Sequence, residues 1–144
     1  MMRKNMFFSL ILFAVICTST LAFCGCEKKV SSLKEEGKEC DYTVVATRDC
    51  PEEFLSHLEE KKINPFQMTY QDGAYLYIAV GYGEQKTGGY SIVIKGLLEK
   101  SDKLCIETEL RGPGKDETVK QKPSYPYVII KTENSSKEVI FESH

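Results

Sequence analysis

The chain has 144 residues, with 19 Lys and Arg against 21 Asp and Glu and a formal net charge of -2 at pH 7. This near balance, with lysines scattered along the chain, offers no basic stripe with interleaved aromatics and excludes the usual nucleic-acid-binding classes. Once the apolar N-terminal stretch is set aside, the length allows one small folded domain and not two.

The N-terminal stretch "MMRKNMFFSLILFAVICTSTLAFCGC" is typical of a secretory signal peptide: Arg3 and Lys4 precede an apolar run over residues 6–15. A cysteine that follows small residues resembles the lipobox of bacterial lipoproteins, where it is acylated and becomes the new N-terminus. We predict residues 1–25 to be a signal peptide and Cys26, after Gly25, to carry the palmitate. Cys24, an uncleaved helix and simple secretion stay open as alternatives.

Residues 26–40 are dense in Lys, Glu and Ser and have little to bury except Val30 and Leu33. Such a segment cannot offset its ordering entropy, so the sequence predicts a flexible tether. A single globular domain is predicted over residues 41–144, lipid-anchored at the extracytoplasmic face of the bacterial cell membrane.

The patterns within this domain predict one helix and a series of strands. Pro51 suits the first turn of a helix over residues 51–62, and Asp49 with Glu52 forms a possible capping box. The run over residues 74–80 is apolar on both faces, which predicts a strand covered on both sides. Strands are predicted at 43–46, 66–70, 74–80, 90–97, 104–110, 127–132 and 138–142. This is an α+β, β-dominated fold with one N-terminal helix followed by an antiparallel sheet or a small β-sandwich.

The stretch "GYGEQKTGGYSI" over residues 81–92 raises the question of a phosphate-binding loop. A dinucleotide fingerprint requires a helix after the glycines, but the following residues are β-branched, and no Walker motif occurs. We therefore predict no nucleotide and no other cofactor. The expected local structure is a hairpin loop, with Gly88 and Gly89 at positive φ.

Three motifs of this chain together resemble the C-terminal domain family of PrcB, a subunit of a bacterial extracytoplasmic protease complex. They are Gly-Glu-x-x-Thr-Gly-Gly-Tyr after a strand, then Gly-Pro-Gly, then Tyr-Pro-Tyr opening a strand, and the likeness spans about residues 75–131. The resemblance implies a secreted or lipid-anchored, non-catalytic, β-rich domain that binds a protein partner such as a secreted protease. The predicted partner-binding residues are Tyr82, Glu84, Thr87, Gly88, Gly89, Tyr90, Gly112, Pro113, Gly114, Tyr125, Pro126 and Tyr127.

Tyrosine gives a large contact area at low entropic cost, so the two tyrosine-bearing loops predict one contact face. Tyr82 and Tyr125 are expected to be exposed, whereas Tyr90 and Tyr127 open strands and are expected to pack with the hydroxyl at the rim. Two other functions stay open. The loops distantly resemble those of chagasin-like inhibitors of cysteine proteases, and a cell-envelope scaffold domain fits the same pattern.

No arrangement of residues predicts an enzyme or a metal site. His57 lies within the predicted helix and His144 is the last residue, too few ligands for a metal. The thiol best placed for reactivity is Cys50, at the positive end of the helix dipole. A disulfide between Cys40 and Cys50 is left open, because spacing does not reveal reach.

Overall fold

The computed structural model describes residues 37–143. One helix, α1 (Glu52–Lys61), follows a turn of 3-10 helix at Thr47–Asp49. The strands are β1 (Lys38–Glu39), β2 (Thr43–Val44), β3 (Pro65–Asp72), β4 (Tyr75–Tyr82), β5 (Ser91–Glu99), β6 (Lys103–Arg111), β7 (Tyr127–Glu133) and β8 (Glu138–Ser143). No helix within this part of the chain is long and apolar enough to cross a membrane.

The strands form two four-stranded sheets. Sheet A has the order β1-β5-β6-β8 and sheet B the order β2-β7-β4-β3. Side chains from both sheets meet in one buried cluster: Leu76, Ile78, Val80, Leu97, Leu104, Ile106 and Ile130. The two sheets therefore pack face to face, and of the two arrangements left open by the sequence the sandwich is the observed one.

The helix covers the other face of sheet B. Phe54 and Leu58 of α1 pack with Phe66, Tyr77 and Ala79 in a second buried cluster. In β4, even-numbered residues thus face sheet A and odd-numbered residues face the helix, as expected for a strand buried on both sides. The prediction of a β-dominated α+β fold is confirmed.

The predicted helix is present, but its predicted cap is not. Pro51 occupies the N-cap position, and no side chain forms a capping hydrogen bond there. Asp49 belongs instead to the preceding 3-10 helix, so its carboxylate does not serve α1. The helix start relies on Glu52 and Glu53 in its first turn, which interact favourably with the helix dipole.

Two features of the sheets differ from the sequence-based picture. β8 pairs with β6 in the parallel sense, so the expectation of an entirely antiparallel run is wrong; the chain crosses from β7 in sheet B before it adds β8 to sheet A. In addition, β1 lies within the segment predicted to be a tether, and it pairs with β5. The Cys40 side chain packs on the inter-sheet cluster, so ordered structure begins ahead of Asp41.

A bulge in β5 places a charged side chain next to its neighbouring strand. The register with β6 shifts between Ile94 and Gly96, and Lys95 forms an ion pair with Glu109. The Arg111 Nε lies 3.1 Å from the Glu109 Oε1. Lys95 first and Arg111 second lower the pKa of the Glu109 carboxyl from 4.5 to about 2.

This pKa shift predicts an acid-sensitive contribution to stability. A carboxyl with a depressed folded-state pKa contributes stability above its unfolded value of 4.5, and the contribution is lost as the pH falls towards about 2. We expect Glu109→Gln to flatten the pH dependence of the unfolding midpoint within that window, as measured by circular dichroism. Glu60→Gln, on the exposed helix surface, is the control. A Glu109→Gln profile parallel to that of the wild type would contradict the prediction.

Candidate protein-binding surface

Two long loops lie side by side at one end of the sandwich. Residues 83–90 lead from β4 in sheet B to β5 in sheet A, and residues 112–126 lead from β6 back to β7. The N–H of Gln85 donates to the Ser124 carbonyl oxygen at 2.8 Å, and the N–H of Ser124 donates to the Gln85 carbonyl oxygen at 3.0 Å. The predicted hairpin is therefore wrong: the glycine-rich segment crosses between sheets and pairs with another loop.

Further hydrogen bonds extend this pairing along both loops. The Ser124 hydroxyl donates to the Thr87 carbonyl oxygen at 2.6 Å, and the Gly88 N–H donates to the Lys120 carbonyl oxygen at 2.9 Å. These contacts satisfy backbone groups that a free loop would leave to water. We call the two bonded segments, residues 83–90 and 112–126, the loop pair.

Close approach within the loop pair explains one of its glycines. Gly89 has a φ of 86°, and a Cβ there would lie 2.5 Å from Val119 Cγ1 and 3.0 Å from Pro113 Cβ. A side chain at this position would be strained by its backbone and crowded by its neighbours. The second glycine of positive φ in the first loop is Gly83, at 69°, and not Gly88, so the prediction holds for Gly89 and is wrong for Gly88.

A third segment joins the loop pair. The Glu84 N–H donates to the carbonyl oxygen of Ile63, in the turn after α1, at 3.0 Å. The Ile63 side chain is 57% exposed. The Tyr125 hydroxyl donates to the Glu84 Oε2 at 2.9 Å, and this hydrogen bond raises the pKa of the tyrosine. We call Ile63, Glu84 and Tyr125 the docking patch.

The docking patch combines features of protein-binding surfaces. The exposed residue Ile63 accepts a backbone hydrogen bond from Glu84, whose carboxylate orients the Tyr125 hydroxyl, and aromatic residues are enriched at interface centres. The stiff sheets on either side hold the loops that carry these residues. The arrangement suits contact with another protein more than capture of a small molecule.

The four predicted tyrosines do not form one face. Tyr82 packs on the inter-sheet cluster, and its hydroxyl hydrogen-bonds the Thr108 hydroxyl at 2.9 Å, so the expectation of an exposed Tyr82 is wrong. Tyr127 packs on the helix side of sheet B, with its hydroxyl 3.0 Å from the Thr47 hydroxyl. The half-buried ring of Tyr90 lies against Gly112. Tyr125 is the one of the four that joins the docking patch.

Most of the other predicted residues build the loop pair. Pro126 accepts a hydrogen bond from the Tyr82 N–H at 3.1 Å, and the Gly114 N–H donates to the Glu117 carboxylate at 3.0 Å. Pro113 packs close to Gly89. Sequence reasoning did not single out Ile63 or Gln85. Ile63 carried a signal, because it is an apolar residue between the last lysines of the helix and Asn64-Pro65.

The described thiols are free and unsuited to nucleophilic work. Cys40, Cys50 and Cys105 are unpaired, and Cys40 and Cys50 pack on opposite faces of sheet B. The disulfide left open by the sequence is therefore not formed. Burial, and then Asp49, raise the pKa of Cys50, so its position at the helix start does not activate the thiol.

Within residues 37–143, no group of three or more His, Cys, Asp and Glu side chains is placed to hold a metal ion. His57 is exposed on α1. Cys26 and His144 lie outside the described residues.

The three motifs that carry the resemblance, once placed in the fold, lie between β4 and β7 and include both halves of the loop pair. Residues 76–133 match the family model of the PrcB C-terminal domain. The resemblance to this family is thus confirmed. The PrcB-like segment is under half of the chain and leaves out α1, β3 and β8. It contains Glu84 and Tyr125 of the docking patch, whereas Ile63 lies outside it. No match to the chain was found among curated proteins or solved structures.

Proposed function

We propose that this chain is a non-catalytic, lipid-anchored subunit that binds a protein partner in an extracytoplasmic protease complex. The PrcB C-terminal match over residues 76–133 supports a role associated with such a complex. The docking patch is the contact surface, and Cys26 carries the lipid that holds the protein at the outer face of the membrane.

The observation that carries the proposal is the hydrogen-bonded loop pair. Main-chain hydrogen bonds from Gln85, Gly88 and Ser124 hold both loops in one arrangement. A surface ordered before binding loses less conformational entropy when a partner docks. The hydrogen bond from Tyr125 to Glu84 fixes the aromatic side chain in the same way.

The chemistry of the described residues supports a binding role. Burial raises the pKa of both Cys40 and Cys50, which keeps these thiols protonated and poorly nucleophilic near neutral pH. Binding, not bond cleavage, is what the ordered loops are suited to provide.

A pull-down from envelope extract tests the docking patch. The readout is the proteolytic activity retained on the immobilised full-length protein. We expect Tyr125→Ala and Ile63→Ser each to lower the retained activity about tenfold, as for residues at the centre of an interface. Tyr75→Ala and Val44→Ser are matched controls, because these residues are 46% and 59% exposed but lie outside the docking patch.

Retention lowered equally by the control substitutions would contradict the assignment of the docking patch. If none of the four substitutions changes the retained proteolytic activity, the docking patch is not the contact surface. If the wild-type protein retains no proteolytic activity, the proposed protease partner is wrong.

The anchor is tested separately by labelling cells with a palmitate analogue. We expect Cys26→Ala to abolish the label and Cys24→Ala to leave it, since the acylated cysteine is the lipid attachment point. Label that persists in Cys26→Ala and disappears in Cys24→Ala would place the lipid on the other cysteine. Label that persists in both would refute an anchor at this motif.

A further inference from the structure

The longest strand at a sheet edge in the described residues is β3. It has eight residues and ends the order of sheet B, so no described strand pairs with its outer side. Natural proteins protect such edges with lysines, bulges, prolines or very short strands. The sequence of β3, "PFQMTYQD", has no cation, its register with β4 is unbroken, and its one proline is the first residue.

The other edges are protected. β1 and β2 have two residues each, and β8 carries exposed glutamates at positions 138 and 142. The bare edge of β3 is therefore a distinct feature of this domain.

The hydrogen bonds of β4 show which backbone groups of β3 point outward. The N–H of Tyr82 donates to Pro126, beside β7, and the Ala74 carbonyl accepts from Asn134. The backbone N–H and C=O groups of even-numbered residues of β4 thus form hydrogen bonds with β7, and those of odd-numbered residues form hydrogen bonds with β3. Tyr77 pairs with Tyr70 and Ala79 with Met68. The backbone groups of even-numbered residues of β3 therefore form their hydrogen bonds with β4. The N–H and C=O groups of Gln67, Thr69 and Gln71 face outward.

The side chains along this edge define the chemistry of an added strand. Met68 and Tyr70 are half-buried at the rim of the helix-side cluster, so apolar side chains placed opposite them would extend that cluster. The Tyr70 hydroxyl donates to the Glu53 Oε2 at 2.9 Å. The carboxylates of Glu53 and Asp72 both raise the pKa of Tyr70, so two negative charges lie at the far end of β3.

We propose that β3 accepts an extended segment of a partner protein as an antiparallel fifth strand of sheet B. The segment alternates apolar and polar residues and carries a Lys or Arg where it meets Glu53 and Asp72. Main-chain hydrogen bonds to Gln67, Thr69 and Gln71 supply the affinity, and the alternating side chains supply selectivity.

A second copy of this chain fits the edge less well. In antiparallel pairing, the β3 of a second copy would bring its uncharged Pro65 end, and no cation of the strand itself, to the carboxylates of Glu53 and Asp72. The inference rests on the proposed function only in that the chain binds a protein partner. It assigns that partner a second contact, apart from the docking patch.

The test uses the full-length, isotope-labelled protein and a synthetic peptide, acetyl-Lys-Thr-Val-Thr-Val-Thr-Val-Thr-amide. Antiparallel pairing puts its lysine at the acidic end of β3. We expect saturable NMR shifts at the amides of Gln67, Thr69 and Gln71, with a dissociation constant of about 1 mM or tighter. A peptide with glutamate in the first position is the control and binds more weakly.

Two variants make the result specific. Thr69→Pro removes the central outward N–H without removing a bond to β4, and it weakens binding about fivefold or more. Asp72→Asn keeps the backbone intact and lowers the preference for the lysine peptide over the glutamate peptide about twofold to fivefold.

Absence of shifts at these three amides at millimolar peptide would overturn the inference, as would shifts confined to β8. Shifts at the same amides on concentrating the protein alone would assign the edge to a second copy and also overturn it. The titration contains no cell extract, so its failure leaves the test of the docking patch unaffected.

Discussion

Replacing Phe54 by alanine is expected to lower the free energy of unfolding by about 3–5 kcal/mol, the range measured for buried aromatic truncations. The Phe54 side chain is 0% exposed, and its ring lies 5.7 Å from that of Tyr70 and 5.8 Å from that of Tyr77, between centroids. Truncation leaves a cavity between α1 and sheet B that a helix of ten residues cannot close by itself. Urea denaturation followed by circular dichroism measures the loss.

The control is His57→Ala on the exposed side of the same helix, for which we expect a change within about 0.5 kcal/mol. A loss of about 0.5 kcal/mol or less for Phe54→Ala, no larger than a surface substitution gives, would mean that the helix contributes little to the packing of sheet B.

Replacing Gly89 by alanine is expected to destabilise the domain by about 2–3 kcal/mol, through a strained backbone and a crowded Cβ. The φ of 86° disfavours any side chain, and the new Cβ would meet Val119 and Pro113. Gly89 lets the first loop approach Val119 and Pro113 of the second loop closely. Because a side chain at this position would push the two loops apart, the substitution is also expected to lower the proteolytic activity retained in the pull-down. Urea denaturation and the pull-down give the two readouts.

Gly73→Ala separates the two causes. Gly73 also has a positive φ, 56°, but a Cβ there meets nothing within 4 Å. The Gly73→Ala substitution should therefore lower the free energy of unfolding by about 1 kcal/mol through backbone strain alone. It should leave the proteolytic activity retained in the pull-down unchanged. Equal losses for the two variants would show that contacts between the loops add nothing to the effect of φ.

The sequence predicts the elements of this fold better than their arrangement. The Phe54 and Leu58 spacing identifies α1, and β-branched runs identify the longer strands, because these signals are local. The parallel pairing of β8 with β6 and the crossing of residues 83–90 between sheets depend on contacts between distant segments. Glycines in the sequence predict that the chain changes direction, but they do not predict which strand the next segment pairs with.

The orientation of Tyr82 illustrates a more specific limit. Strand β4 is buried on both faces, so alternation of apolar and polar residues does not distinguish the side facing sheet A from the side facing α1. Tyr82 shares the even positions of Leu76, Ile78 and Val80 and therefore enters the inter-sheet cluster. Tyr125 precedes its strand, and pairing between the loops decides its position.

The two shortest strands have a mechanical consequence. β1 joins sheet A and, after residues 40–42, β2 joins sheet B, each through two residues. A pulling force applied at the N-terminal side would detach β1 from sheet A first and β2 from sheet B next, before the force reaches α1. Releasing residues 38–44 frees a segment whose fully extended length is at most about 25 Å. Strands β3 to β8 keep their pairing with one another when β1 and β2 are released, so the loop pair between them is left in place.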